Sequence, residues 1–396
     1  MRSLRAFPFL IFLSFSLRTE ASVWKHDNNK IWSATWEQKY SDWVHSEVDT
    51  SWLQKKDNPF YSWPVDCAKF AYLLKIYFAS IHQLEFAIND PSQKGRVISS
   101  RSARWDTLTS EKSKLQSFAR YILARVNTRT LPNDSILLDI TPNSLVPGVI
   151  LASDRQRGHT MVLKHLKPSG APTFIFATLP ASEFLYESYA FPAAESFFPS
   201  KQKPSLAEGG FRRLKWPQEL NQKTVSLLDQ AQGAFSISRS QEDFEYHHFF
   251  EEVQKKVQKE PLTNIDKFDY ALEDLCMKMR IRVNVIIDAG HALEKLKGRS
   301  FTSDQIDLYS TYARDKDIQL AIEKVDLLFN LYQSSLSSDL IKKYSSLLRP
   351  EWNSNDYCWV QWADNRIEPL GALRDKFIKS LISSDPYASF AKRWGE

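Results

Sequence analysis

Glycine and cysteine are scarce in this 396-residue chain, at 11 and 3, and neither sign of charge dominates, with Lys+Arg 52 against Asp+Glu 47. Each shortage removes a class of reading. So few glycines argue against a repeat array or a linker-rich scaffold. The glycine pair Gly209-Gly210 is followed by Phe211 rather than by the Lys-Ser/Thr that a phosphate-cradling loop needs. A net charge of +5 spread along the chain gives no electrostatic argument for nucleic acid. After the first 21 residues no stretch approaches the ~20 consecutive apolar residues of a membrane-spanning helix.

What is present is a chain that can bury an ordinary core: hydrophobic residues make up 43%, aromatic residues 13%, and tryptophans number 12. A chain of this length accommodates two domains, here one reactive and one helical. At the amino terminus Arg2 and Arg5 precede an apolar run from Ala6 to Leu17, and Thr19 and Ala21 are small residues placed for cleavage after Ala21. Residues 1–21 therefore read as a signal peptide, and the mature protein is expected to be soluble and exported, either periplasmic or secreted. In an oxidising compartment three cysteines leave at least one without an intrachain partner. Cys276 and Cys358 bridged, with Cys67 free, is one arrangement, and buried free thiols at both are the other.

Residues 22–60 form a Trp-rich helical segment. Trp32, Trp36 and Trp43, with Tyr40 between them, share one face of a helix expected over about 31–54. Such a stripe packs a core or stacks sugar rings. Pro64 and Asp66 then open a helix whose apolar residues wrap nearly all round, from Cys67 to about Phe86, with Asp66 as the helix N-cap. Cys67 stands in the first turn, where unpaired backbone N–H groups and the helix dipole favour a thiolate. A polar, basic loop over 93–105 and a second helix, about Ser110 to Val126, follow. Strand signals come next at Ser135–Ile140, Val146–Ala152, His159–His165 and Thr173–Thr178, the last two joined by a hairpin at Lys167–Pro172. Residues 199–219, rich in Pro, Ser and Lys at first, read as a linker. Residues 220–396 read as a helical domain, with Phe268, Leu272, Leu275 and Met279 on one face and Ile318, Ile322, Val325, Phe329 and Tyr332 on another.

Asp66-Cys67-Ala68-Lys69-Phe70, followed by Pro147-Gly148-Val149-Ile150 and Gly158-His159-Thr160-Met161-Val162, resembles the cysteine and histidine motifs of the NlpC/P60 group of papain-like hydrolases and the related CHAP amidases. The likeness spans about 61–180. Ala68-Lys69 stands where the group has Ser-Gly, and Val149 where it has aspartate. The resemblance implies an α+β fold over 61–198, with the cysteine helix packed on an antiparallel sheet. It implies a cysteine peptidase or amidase that needs no cofactor and acts on peptidoglycan or another cell-envelope peptide. In that reading His159 draws the proton from Cys67, the thiolate attacks an amide carbonyl, and the Cys67 N–H with the Tyr61 hydroxyl holds the oxyanion. The group that orients the imidazole falls at Phe176 or Thr178, of which only Thr178 can accept a hydrogen bond, and His165 is the alternative. Two other classes fit the same residues: a catalytically inactive envelope-binding or scaffold protein with this fold, and a peptidase or transglutaminase-like enzyme acting on proteins. His247-His248 with Glu251 and Glu252 lacks a third ligand at metal spacing, and His291 has no partner in sequence, so no metal is expected.

Overall fold

Helices α1 (Ala34–Glu47), α2 (Cys67–Ile81) and α3 (Glu111–Leu123) form the first layer of the structure, a computed structural model that describes residues 22–153, 159–189, 191, 209–220, 222, 235–245, 248–348, 358–363 and 366–396. The expected signal peptide, residues 199–208 of the expected linker, and His247 lie outside the described residues. Helix α2 starts where the sequence predicts. The Asp66 carboxylate accepts a hydrogen bond from the Lys69 N–H at 3.1 Å, satisfying one of the donors that a helix start leaves open. It ends at Ile81 rather than near Phe86, because Gln83 takes a left-handed conformation (φ 61°) and the Leu84 N–H turns back to the Ala79 carbonyl at 2.9 Å.

The Trp-rich stretch belongs to the core of this layer. Trp24, Trp32 and Trp52 are buried, and Trp36 and Trp43 pack half-buried against the same cluster. Helix α1 is shorter than expected. Val48 leaves it in an extended conformation, and Lys164, reaching across from the sheet, donates to the carbonyls of Val44, His45 and Val48. The stretch expected as a loop over 93–105 contains β2 (Val97–Ser99), which pairs antiparallel with β1 (Ala87–Asn89).

A six-stranded antiparallel sheet forms the second layer. Its strands are β3 (Ser135–Leu137), β4 (Ile150–Ala152), β5 (Thr160–Leu166), β6 (Pro172–Phe176), β7 (Tyr186–Ser188) and β8 (Gly210–Leu214), in the spatial order β3-β8-β4-β5-β6-β7. The place of β8 corrects the linker reading of 199–219. It lies between β3 and β4 with all five residues buried. Two consecutive arginines disguise it, yet both are satisfied inside: Arg212 donates to Ser135 Oγ at 2.8 Å, and Arg213 forms a two-pronged pair with the Glu219 carboxylate at 2.7 Å on each oxygen. The Pro147-Gly148 turn enters β4 against α1. Gly148 sits at φ 88°, and a Cβ there would come within 2.6 Å of the Tyr40 ring, so only glycine fits.

Both faces of the sheet are covered, so its strands carry nearly continuous apolar runs. Ile150, Ala152, Val162 and Ile175 face α1, α2 and α3. Leu151, Met161, Leu163, Phe174, Phe176 and Phe211 face the other way, onto Phe244 and α5 (Phe249–Val257), whose Phe249, Phe250 and Val253 are buried there. Residues 235–245 and 248–257 therefore belong with the sheet, which corrects the expected boundary at 220.

Among the described residues the remaining α-helices are α6 (Asn264–Leu296), α7 (Ser303–Tyr309), α8 (Tyr312–Tyr332), α9 (Ser338–Leu348), α10 (Leu370–Ile378) and α11 (Phe390–Arg393), numbered after the short α4 (Leu131–Asp134). A Thr263–Asp266 capping box starts α6. Phe268, Leu272, Leu275 and Met279 of α6 meet Ile318, Ile322 and Val325 of α8, as the periodicity predicts. This unit is not all helical. A hairpin of β9 (Trp359–Ala363) and β10 (Arg366–Pro369) packs into it, tied to α6 by a disulfide between Cys276 and Cys358. The whole is a mixed helix-and-sheet protein.

Candidate functional site

Cys67 sits where the sequence puts it, in the first turn of α2, but in an environment that keeps it a thiol. It is 5% exposed, its Sγ lies 3.8 Å from Thr128 Oγ1, and the Thr160 backbone N–H is aimed at it. Burial pushes the thiol's pKa up and the Asp66 carboxylate adds to this. The Thr128 hydroxyl and the N–H groups of Thr160 and Ala68 only partly oppose them. A low-pKa nucleophile needs the reverse balance, a cationic neighbour and access to solvent.

His159 precedes β5 and continues its ladder, since its carbonyl accepts from the Ser153 N–H at 2.8 Å. Side chains along a strand alternate between faces. Thr160 and Val162 point toward α2, whereas Met161 and Leu163 point away, and the His159 ring goes with the latter pair, meeting the Phe176 ring edge-on at 5.3 Å. The His159 ring thus packs against Phe176, while the backbone N–H of the next residue, Thr160, bonds to the Cys67 sulfur. Thr160 occupies the position opposite Cys67 where the resemblance puts a histidine, one residue out of phase. Burial pushes His159 down to about 4, so the ring is neutral at physiological pH.

The other expected site residues lie in different settings. Thr178 lies just past β6, half-buried, while the residue that the imidazole meets is Phe176. His165 cannot serve from the same strand face. The β5–β6 register shifts between Leu163 and His165, and His165 turns to α1, its ring 5.3 Å from that of His45. Tyr61 is 45% exposed in the turn before α2, whereas an oxyanion donor works from a site that excludes water. His248 pairs with Glu251 at 3.0 Å on an exposed helix turn, and among the described residues no group of three or more His, Cys, Asp or Glu is arranged to hold a metal ion. Thr128 and Thr160, which surround the sulfur, carry no chemical signal in the sequence. Thr160 Oγ1 is buried without a hydrogen bond among the described residues.

The buried imidazole has a measurable consequence. Its folded pKa, about 4, lies below the ordinary 6.5, so between these values the unfolded chain holds more protons and the stability His159 contributes falls as pH falls from 6.5 to 4. The loss is at most about 3 kcal/mol, and less to the extent that the residue stays accessible. Asp134, pushed up to about 6 by burial, works in the opposite sense over the same range. The difference between wild type and His159→Phe in urea unfolding, measured at steps from pH 7 to 4, therefore isolates the histidine. Wild type should lose stability relative to the variant as pH falls, and parallel curves would mean the ring is not buried neutral.

Comparison with known proteins finds no match: no family model fits the chain, and no curated protein or solved structure is similar to it.

Proposed function

We propose that the chain is an exported cell-envelope binding protein that does not hydrolyse its ligand, built on a papain-like frame of a cysteine helix on an antiparallel sheet. The observation that carries this reading is the phase of β5, which turns His159 away from the face on which Cys67 lies. In this reading the imidazole, packed edge-on against Phe176, serves the core rather than deprotonating the thiol or protonating a leaving amine. Export is supported by the signal-like leader and by the Cys276–Cys358 bridge, since such bonds persist in oxidising compartments.

Alkylation of Cys67, which lies outside the disulfide, tests the reading directly. With iodoacetamide across pH 6–10, half-maximal rate is expected above the ordinary thiol value of about 8.5, unchanged in His159→Ala, and incubation with purified peptidoglycan should release no peptide amines. An apparent pKa well below about 8.5 that disappears in His159→Ala, accompanied by release of wall peptides, would make the protein a cysteine hydrolase instead.

A further inference from the structure

A cleft of about 530 Å³ opens where edge strand β7 meets α6 and β9. That size falls within the roughly 300–1,000 Å³ of sites for small molecules. Its walls combine aromatic rings, from Tyr189 and Trp359 among others, with the polar groups of Glu187, Glu273, Arg280 and Asn284. Tyr189, Glu187 and Asn284 are held by hydrogen bonds. The Tyr189 hydroxyl donates to the Glu187 carboxylate at 2.8 Å, and the Asn284 amide donates to the hydroxyl of Tyr186 in the cleft wall. Glu187, Glu273 and Arg280 line the same cleft as Tyr189, and all three act electrostatically on its hydroxyl.

The mixture of groups narrows the ligand. An anion would meet two carboxylates, and a cation would meet Arg280. Here acceptors (Glu187, Glu273) and donors (Arg280, the Asn284 amide) line one cleft together with aromatic rings. The matching ligand has flat apolar faces and a rim of groups that each donate and accept. A pyranose ring has that shape: its C–H face covers an aromatic ring, while carboxylate, guanidinium and amide groups each span neighbouring hydroxyls. We infer that this cleft binds an uncharged or N-acetylated oligosaccharide. The inference deepens the binding-protein reading by naming its ligand class, and rests on it for the choice of envelope-type glycans as probes.

Calorimetric titration of the full mature chain with chitotetraose and cellotetraose, and with spermidine as a cationic contrast, tests the assignment. At least one oligosaccharide should bind, and Glu273→Gln and Arg280→Gln should each weaken it by about tenfold or more without changing the urea midpoint. Neither charge is needed for the fold at these accessible positions, and Trp359→Phe, which keeps an apolar ring, should give a smaller loss. No binding of either oligosaccharide up to about 10 mM, binding untouched by both charge variants, or binding of spermidine alone would overturn the assignment. Peptidoglycan digestion run on the same samples separates the two levels. Peptide release with intact oligosaccharide binding would overturn the non-hydrolytic reading and leave the cleft, whereas absence of binding without peptide release would overturn the cleft alone.

Discussion

Lys75→Met should cost about 3–5 kcal/mol in urea unfolding, and adding Glu37→Gln should restore most of it. The two side chains form an ion pair deep between α1 and α2, both carboxylate oxygens 2.7 Å from the ammonium and each residue 4% exposed. The ammonium also lies 4.0 Å from the centre of the Trp32 ring and 3.9 Å from that of Tyr40. Burial pushes Lys75 down to about 8 against the pull of Glu37, so the ammonium keeps its charge at neutral pH. Removing the lysine alone strands a carboxylate among aromatic rings, and that stranded charge is the source of the cost. Glutamine in place of Glu37 removes the charge while keeping an acceptor for the Trp216 indole N–H, which donates to Glu37 at 2.8 Å. A single-variant cost below about 1 kcal/mol, or a double variant no better than Lys75→Met, would show that the pair does not hold the layer together.

That pair also explains why the Trp-rich segment could be misread as a separate element. Tryptophans at helical spacing announce an apolar face, and the face exists, but what fixes α1 on α2 is a charge hidden beneath it. Nothing in the pattern of 22–60 distinguishes Glu37 from the exposed acids around it. By contrast, α2 was legible almost to the residue at its start, because Pro64, Asp66 and an apolar surface on all sides each state one physical requirement of a buried helix. Its end was not, because the turn at Gln83 uses a left-handed residue that is not glycine.

For the candidate site, what the sequence makes legible stops at a different point. Cys67 and His159 fall on the elements expected of them, a helix start and a strand start. Whether they meet depends on the phase of β5, and phase is read from alternation of apolar and polar residues. Thr160, Met161, Val162 and Leu163 are all buried, since helices cover both faces of the sheet, so the strand offers no alternation to read. The same covering hid β8, whose paired arginines imitate a solvated loop until Ser135 and Glu219 are seen to receive them. Residues 249–257 were legible as helix, but their destination was not. An amphipathic helix declares that it has a partner, and only the fold shows that the partner is the sheet rather than α6.

Replacing both Cys276 and Cys358 by alanine should lower the stability of the protein by about 4–5 kcal/mol, the loop-closure entropy for a bridge of this span. The two residues are 82 apart in sequence and 5.8 Å apart at Cα, so the bond closes a long loop without asking the backbone to move. The loop contains α7, α8 and α9, and the bridge holds the β9–β10 hairpin beside α6, where Val360, Trp362, Leu370 and Leu373 complete the second core. Reduction of wild type should reproduce the drop and should leave the reduced and double-alanine proteins with the same urea midpoint. Cys67 does not complicate the comparison, since it stands in a different core and takes no part in the bridge. A double variant within about 1 kcal/mol of wild type would mean that packing of the hairpin, not the covalent link, already closes the loop, and the bridge would then lose its force as an argument for an oxidising compartment. A drop of the expected size has the opposite implication. A chain that depends on this bond for several kcal/mol keeps its carboxy-terminal core only where thiols are oxidised, which is the condition that export of the mature protein would meet.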